Sequence, residues 1–194
     1  MASIIVKKNE YEVIDNINTF LYKVQDKDNN YYLAYDFKDN KDGFFDFKFA
    51  NKRLKSCGLN IPQVYVIDKK NFCALVEEVK GSTVFDELQE HDLDEKIIEQ
   101  AFIMNYKARM NRLRLDFDPH QFVIKDDKLY YLPFTFTNYV REEDFTQKEL
   151  RLWFYTNEFK KLLIEQGLPI DQSRLKNEYE RNKEIVLLVV KYFR

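Results

Sequence analysis

The first 80 residues alternate apolar and polar positions in short runs separated by Asn, Asp and Gly, a pattern typical of β-strands joined by turns. Three runs of this kind cover residues 11–14, 19–24 and 31–37. The polar segment 26–30 lies between the last two runs and has the composition of a hairpin loop. The pattern therefore predicts three successive strands near the N-terminus.

A helix and two further strands are predicted to follow. In residues 45–57 the apolar positions change to helical spacing, and Gly58 stands where a helix C-cap belongs. One face of this predicted helix carries Phe45, Phe49, Ala50, Leu54 and Cys57. Alternation returns in residues 63–68 and 72–78, which completes a predicted five-stranded antiparallel sheet with one helix.

After residue 83 the pattern becomes mainly helical. Apolar residues recur at helical spacing in four segments, 84–89, 94–113, 149–166 and 175–193. A small hairpin is predicted at 123–132, among these helices. A run of strands followed by a run of helices is typical of an α+β fold.

Charge and apolar runs narrow the function classes. The chain has 31 Lys and Arg against 33 Asp and Glu, which removes the usual electrostatic ground for a nucleic-acid partner. The longest apolar run, 185–190, is far shorter than the ~20 residues that a membrane-spanning helix needs, so no membrane span is expected. The two cysteines, Cys57 and Cys73, are too few for a disulfide scaffold. We expect a cytoplasmic protein.

Four local stretches occur in a suggestive order: 58–65, 75–84, 115–124 and 128–134. They resemble, in turn, the entry to the fourth strand, the fifth strand with its hinge, the catalytic loop, and the strand that delivers a magnesium-binding Asp in the protein-kinase-like superfamily. The closest branches in style are the aminoglycoside phosphotransferases and the lipopolysaccharide kinases. The resemblance covers about residues 11–136.

The resemblance implies a two-lobed fold. Residues 1–80 would form an N-lobe with the five-stranded sheet and its helix, and residues 81–194 would form a mainly helical C-lobe with the catalytic-loop hairpin. The cofactors of such a protein, when it is active, would be ATP and Mg²⁺.

The catalytic-loop stretch retains several of the family's features. By resemblance Asp116 occupies the place of the catalytic aspartate, and Gln121, five residues later, takes the place of the metal-binding Asn. Arg114 falls at a position that braces the loop backbone. Asp118 is the nearest carboxylate that could hold a metal instead of a missing family residue.

Other family features are absent. Residues 14–19 contain no Gly, although this stretch corresponds to the phosphate-binding loop. Asp36 aligns with the strand-three Lys, where a negative charge would repel phosphates, and Phe49 aligns with the Glu that pairs with that Lys. Pro133 stands in place of the magnesium-binding Asp and offers neither a carboxylate nor a backbone donor.

A relocated ion pair is one way to restore part of this machinery. Lys38 lies two residues after Asp36, and Asp46 lies one helical turn before Phe49. A Lys38–Asp46 pair could bind a nucleotide cofactor. The competing interpretation is that both side chains are ordinary solvated surface residues.

Three hypotheses follow from these residues. The favoured one is a pseudokinase that acts as a binding or regulatory scaffold, with no cofactor, for an unknown protein partner or small molecule. The alternative is an unconventional ATP-dependent phosphotransferase acting on a small molecule or a protein hydroxyl. The third is an unrelated α+β domain. A scaffold could fill its cleft with apolar side chains, for which Phe49, Phe134 and Phe136 are candidates.

Overall fold

The computed structural model describes residues 2–174 and 177–193. Its strands are β1 Ser3–Val6, β2 Asn9–Asn18, β3 Leu21–Gln25, β4 Tyr31–Asp36, β5 Val64–Asp68, β6 Cys73–Glu77, β7 Ser82–Thr83, β8 Leu113–Arg114, β9 Phe122–Lys125, β10 Lys128–Tyr131 and β11 Thr137–Asn138. Its helices are α1 Lys41–Ser56, α2 Val84–Glu90, α3 Glu95–Met110, α4 Phe145–Lys148, α5 Asn157–Glu165 and α6 Glu178–Tyr192. The predicted α+β fold is confirmed.

The main sheet is antiparallel and has six strands in the order β1-β2-β3-β4-β6-β5, so the predicted count of five is wrong. The additional strand is β1, which pairs with β2 from Ser3 opposite Glu12 to Val6 opposite Asn9. Ile4 and Val6 of β1 are buried and alternate with exposed residues. Its sequence does not alternate, because the exposed Ile5 is as apolar as the buried Ile4 and Val6, so the strand period is not visible in the sequence.

The sheet curls so that β1 also touches β6. The carbonyl of Ile5 accepts a hydrogen bond from the Cys73 thiol at 3.6 Å, and the Lys7 N–H donates to the Asp68 carboxylate. Asp68 is buried and also accepts from the Lys70 N–H at 3.0 Å. The curled sheet thereby encloses a small apolar cluster made of Ile4, Val6, Tyr11, Val24, Ala34, Cys73 and Leu75.

The other face of the sheet is covered by α1. The helix begins after Asn40, whose side chain accepts from the Gly43 N–H at 2.9 Å, and ends before Gly58, whose φ of +69° favours glycine. The predicted helix is therefore confirmed, but its buried face differs. Phe44 and Phe47 are buried, whereas the predicted Phe45 and Phe49 are exposed. Because four phenylalanines fall within six positions, the sequence alone does not decide which face of the helix is buried.

The remainder of the described chain is mainly helical. α2 begins with a capping box between Thr83 and Asp86, and α3 begins at the side-chain cap Asp94. The predicted helix 149–166 is interrupted, because a 3₁₀ turn occupies Leu150–Trp153 and α5 begins only after its cap Thr156. Residues 175 and 176 of the last predicted helix lie outside the described residues.

A large aromatic core joins these helices to the hairpin of β9 and β10. Trp153 is fully buried and donates its indole N–H to the Phe117 carbonyl at 2.8 Å. Phe117 stacks on Phe145 with ring centroids 4.2 Å apart. Across residues 2–174 and 177–193, none of the helices combines the length and the apolar character needed to cross a membrane.

Candidate functional site

The loop that contains Asp116 connects α3 to the β9–β10 hairpin. Just before the loop, β8 pairs with β11, with Arg114 opposite Thr137. This pairing brings the chain after β10 alongside the loop. The two segments and α4 enclose a cavity of about 410 Å³, here named the Asp116 cavity, whose lining includes Arg114, Asp116, Tyr131, Thr135, Thr137 and Glu149.

Asp116 is exposed in this cavity. Its carboxylate accepts a hydrogen bond from the Asp118 N–H at 3.1 Å, and its own N–H donates to the Tyr131 hydroxyl at 3.4 Å. Tyr131 is buried and donates its O–H to the Thr135 carbonyl at 3.2 Å. Burial raises the pKa of the Tyr131 phenol, so this hydroxyl stays a donor at neutral pH. The Tyr131 hydroxyl thus links the loop to the chain after β10, while the Asp116 carboxylate stays accessible.

Arg114 braces the wall of the cavity. Its Nε donates to the Glu143 carbonyl at 2.7 Å, and its Nη2 donates to the Glu149 carboxylate. Glu149 is buried, and burial raises the pKa of its carboxyl although Arg114 opposes that shift. The second oxygen of Glu149, Oε2, is buried without a hydrogen-bond partner.

Glu149 was not anticipated from the sequence. It lies 35 residues after Arg114, at the end of α4, and no local pattern marks it. Only the tertiary fold brings its carboxylate beside the Asp116 loop.

The two metal candidates, Asp118 and Gln121, lie outside the described lining of this cavity. Asp118 accepts from the His120 N–H at 2.9 Å and contacts the His120 Nδ1 at 2.7 Å, so it caps the 3₁₀ turn Pro119–Gln121. The Gln121 carbonyl accepts from the Leu132 N–H at 2.9 Å. Neither Asp118 nor Gln121 is among the described lining of the Asp116 cavity. Within the described chain, no group of three or more His, Cys, Asp or Glu side chains could hold a metal ion.

The cofactor candidates are also separated. The Lys38 ammonium contacts the Asp36 carboxylate at 3.0 Å, and this hydrogen bond raises the pKa of Lys38. Asp46 lies exposed on α1. Lys38 is thus paired with Asp36 rather than with Asp46.

Tyr35, not Asp36, faces α1 from β4, together with Leu33. Successive side chains of a strand point to opposite faces, and Tyr35 belongs to the cluster that α1 covers. Its ring centroid lies 5.0 Å from that of Phe47 and 5.9 Å from that of Phe134. Burial raises the pKa of Tyr35 to about 12.

Tyr35 is part of a group of rings between β4, α1 and the chain after β10. We name this group the aromatic cluster; its members are Phe20, Tyr35, Phe37, Phe44, Phe47 and Phe134. Of the three phenylalanines proposed as cleft fillers, Phe134 is buried in this cluster. Phe49 is exposed, and its ring centroid lies 5.9 Å from that of Phe136.

Comparison with known proteins adds no relative to this picture, because no protein-family model and no curated protein sequence matches the chain. Function is therefore inferred from the side chains of the chain itself.

Proposed function

We propose that this chain is a kinase-like protein that does not transfer phosphoryl groups and acts as a binding or regulatory scaffold. One observation carries the proposal. The aromatic cluster fills the region between β4, α1 and the chain after β10, where the resemblance calls for a cationic strand residue, a helix carboxylate and a magnesium-binding aspartate.

Phosphoryl transfer depends on positioning and on neutralising charge around the phosphates. In this region the chain offers the rings of Tyr35, Phe47 and Phe134 instead. Apolar surroundings penalise unpaired charge heavily, so a triphosphate placed there would lose its hydration without gaining ionic partners. The aromatic cluster is therefore better suited to packing β4, α1 and the chain after β10 together than to binding a nucleotide.

The side chains present do not fit ATP with Mg²⁺. Lys38 is already paired with Asp36, and Asp118 is paired with His120. A magnesium ion is usually held through one or two carboxylates together with substrate phosphates. Of the described carboxylates that line the Asp116 cavity, Asp116 is accessible, whereas Glu149 is engaged by Arg114 through its Oε1.

The Asp116 cavity is the candidate binding surface of the scaffold. Its lining includes the exposed Asp116 and two threonines, Thr135 and Thr137, and its wall is fixed by the Arg114–Glu149 ion pair. Carboxylate and hydroxyl oxygens accept hydrogen bonds, so the cavity suits a ligand or partner side chain that carries N–H donors.

A second candidate function rests on the accessibility of Asp116. An exposed carboxylate in a cavity of about 410 Å³ could orient a substrate hydroxyl, as an unconventional phosphotransferase requires. This alternative needs a nucleotide site elsewhere in the chain.

Transfer of labelled phosphate separates the two candidates. The wild-type protein and Asp116→Asn are incubated with γ-labelled ATP and either Mg²⁺ or Mn²⁺, and release and incorporation of label are measured. The scaffold proposal expects the two proteins to give the same background. Turnover by the wild type that Asp116→Asn removes would establish the phosphotransferase instead.

A further inference from the structure

The helix α6 is apolar on two sides. Its inward side packs against the core through a buried or partly buried row, Ile185, Leu188, Val189 and Tyr192. Its outward side carries Val186, Val190 and Phe193, which are 45% to 77% exposed. A surface helix usually has a polar outward side, and a helix that is apolar all round is usually covered on every side. The outward side of α6 therefore has the character of a contact surface.

The neighbouring helix α3 enlarges this surface. Its exposed side chains Ile103, Tyr106 and Met110 recur at helical spacing. The guanidinium carbon of Arg109 lies 5.9 Å from the centroid of the Tyr106 ring and 4.5 Å from that of the Phe193 ring, so it joins the two helices. The three α3 residues together with Val186, Val190 and Phe193 are named the α6 surface. It presents on the order of 600 Å², so a symmetric pair would bury about 1,200 Å², which reaches the ~1,200–2,000 Å² of a stable interface.

The spacing along α6 indicates what covers it. The exposed residues Lys183, Val186, Val190 and Phe193 are 3, 4 and 3 positions apart, close to the ~3.5-residue repeat of a coiled-coil seam. This order is the same in both directions. A second α6 laid antiparallel therefore places Val186 opposite Val190, and Lys183 opposite Phe193. A cation over an aromatic ring is attracted to it, whereas a parallel pair would set two Lys183 side chains against each other.

We propose that the α6 surface binds a second copy of this chain, with the two α6 helices packed antiparallel about a two-fold axis. Such a dimer is closed, because both copies use the same surface. A membrane is the less suitable occupant, since anionic bilayers attract basic helices and the first turn of α6 exposes the carboxylates Glu178 and Glu180. The dimer does not depend on the proposed scaffold function, so either one can fail without the other.

Sedimentation equilibrium measures the self-association. The wild type should approach twice the 23.6 kDa of one chain, with a dissociation constant below about 100 μM. Val190→Asp places a charge in the seam of both copies and should weaken the dimer at least about tenfold. Ile164→Asp is the matched control, because Ile164 is an exposed residue near the end of α5 and outside the α6 surface. It should associate like the wild type.

Cross-linking tests the antiparallel register. Lys183→Cys and Phe193→Cys are prepared separately, mixed and treated with a short bis-maleimide. The native Cys57 and Cys73 are buried and should not compete. The mixture should give a cross-linked dimer in clearly higher yield than either variant alone, because the antiparallel register places position 183 of one copy opposite position 193 of the other.

Three results would overturn the proposal. The first is a wild type that stays monomeric at about 100 μM, and binding of that monomer to phosphatidylserine vesicles would assign the surface to a membrane instead. The second is equal weakening of the dimer by Ile164→Asp and Val190→Asp. The third is cross-linking of Lys183→Cys alone as complete as that of the mixture. Circular dichroism establishes that each variant is folded, and the mass of the wild type decides the main point without any variant.

Discussion

Phe134 packs its ring against that of Phe47, with the two ring centroids 4.6 Å apart. Phe134 directly follows Pro133, and Phe47 lies on the buried face of α1. This contact ties the helix of the sheet to the chain after β10. Under the proposed kinase-like function, this contact lies where the resemblance calls for the groups that hold the nucleotide phosphates, so it would link the stability of the fold to the proposed loss of catalysis.

The first prediction concerns this contact. Phe134→Ala removes a buried ring, and we expect it to lower the free energy of unfolding by about 3–5 kcal/mol. Phe49→Ala is the control, because the Phe49 side chain is exposed and its loss should cost less than about 1 kcal/mol. Urea unfolding followed by circular dichroism measures both. Equal losses would show that Phe134 is not part of the core.

The second prediction concerns Arg114 and Glu149. Arg114→Met leaves a buried carboxylate without its cation, and we expect a loss of about 3–5 kcal/mol at neutral pH. Burial raises the pKa of Glu149 above 4.5, so its protonated form is favoured in the folded state. The stabilisation that comes from this preference for protonated Glu149 is complete below pH 4.5, and it is lost as the pH rises through the folded-state pKa of Glu149.

Since Arg114→Met raises the pKa of Glu149 further, the loss caused by the substitution should be smaller below pH 4.5 than at neutral pH. Urea unfolding at both pH values measures the difference between wild type and variant. Lys52→Met, a change at an exposed lysine of α1, is the control and should show little dependence on pH. A pH-independent loss in Arg114→Met would mean that Glu149 is not buried as described.

The third prediction concerns the attachment of β1. Burial acts to raise the pKa of Asp68, but hydrogen bonds from the Lys7, Asn71 and Lys70 N–H groups outweigh burial. The pKa of Asp68 in the folded state is therefore below its usual 3.8. The resulting stabilisation is complete above pH 3.8 and is lost as the pH falls through the folded-state pKa. Asp68→Asn should therefore destabilise the protein at neutral pH, with a difference that shrinks below pH 3.8.

Hydrogen exchange gives the local measurement for this third prediction. The Lys7 amide should exchange faster in Asp68→Asn than in the wild type, because its acceptor has lost its charge. Asp39→Asn, at an exposed turn residue, should leave that amide unchanged. Unchanged exchange in Asp68→Asn would mean that Asp68 does not hold the turn between β1 and β2.

The fourth prediction concerns Gly81, which precedes β7. A Cβ at this position would lie 2.1 Å from the Ile124 carbonyl oxygen of β9, a backbone atom that cannot turn aside. We expect Gly81→Ala to cost about 1–3 kcal/mol. Ser82→Ala is the control, because Ser82 is an exposed neighbour that already carries a Cβ, so the change adds no atom next to β9. Comparable thermal stabilities of the two variants would contradict the pairing of β7 with β9.

Elements with a long, regular period could be predicted from the sequence. The hairpin around 26–30 and the helix that ends before Gly58 are present, because the strand alternation and the C-cap signal are local properties. β1 could not be predicted, since its consecutive apolar residues Ile4, Ile5 and Val6 show no alternation. The contacts of Ile5 with Cys73 and of Lys7 with Asp68 join positions that are distant in the chain.

The candidate site could be predicted only in part. Asp116 was identified by its loop, but its cavity partner Glu149 comes from a distant segment and has no local signal. The resemblance aligns Asp36 with the family's strand-three Lys, whereas the neighbouring Tyr35 is the side chain that packs in the cluster covered by α1. Only the position of α1 shows which of the two neighbours faces the helix.

That the aromatic cluster leaves no room for a nucleotide is tested by thermal unfolding with millimolar ATP or GTP, each with Mg²⁺, Mn²⁺ or EDTA. A ligand that binds only the native state stabilises it by about 2.7 kcal/mol at a hundredfold excess over its Kd. We predict the same midpoint in every condition. A metal-dependent rise of the midpoint that Asp116→Ala abolishes would contradict the claim and identify a nucleotide-binding protein.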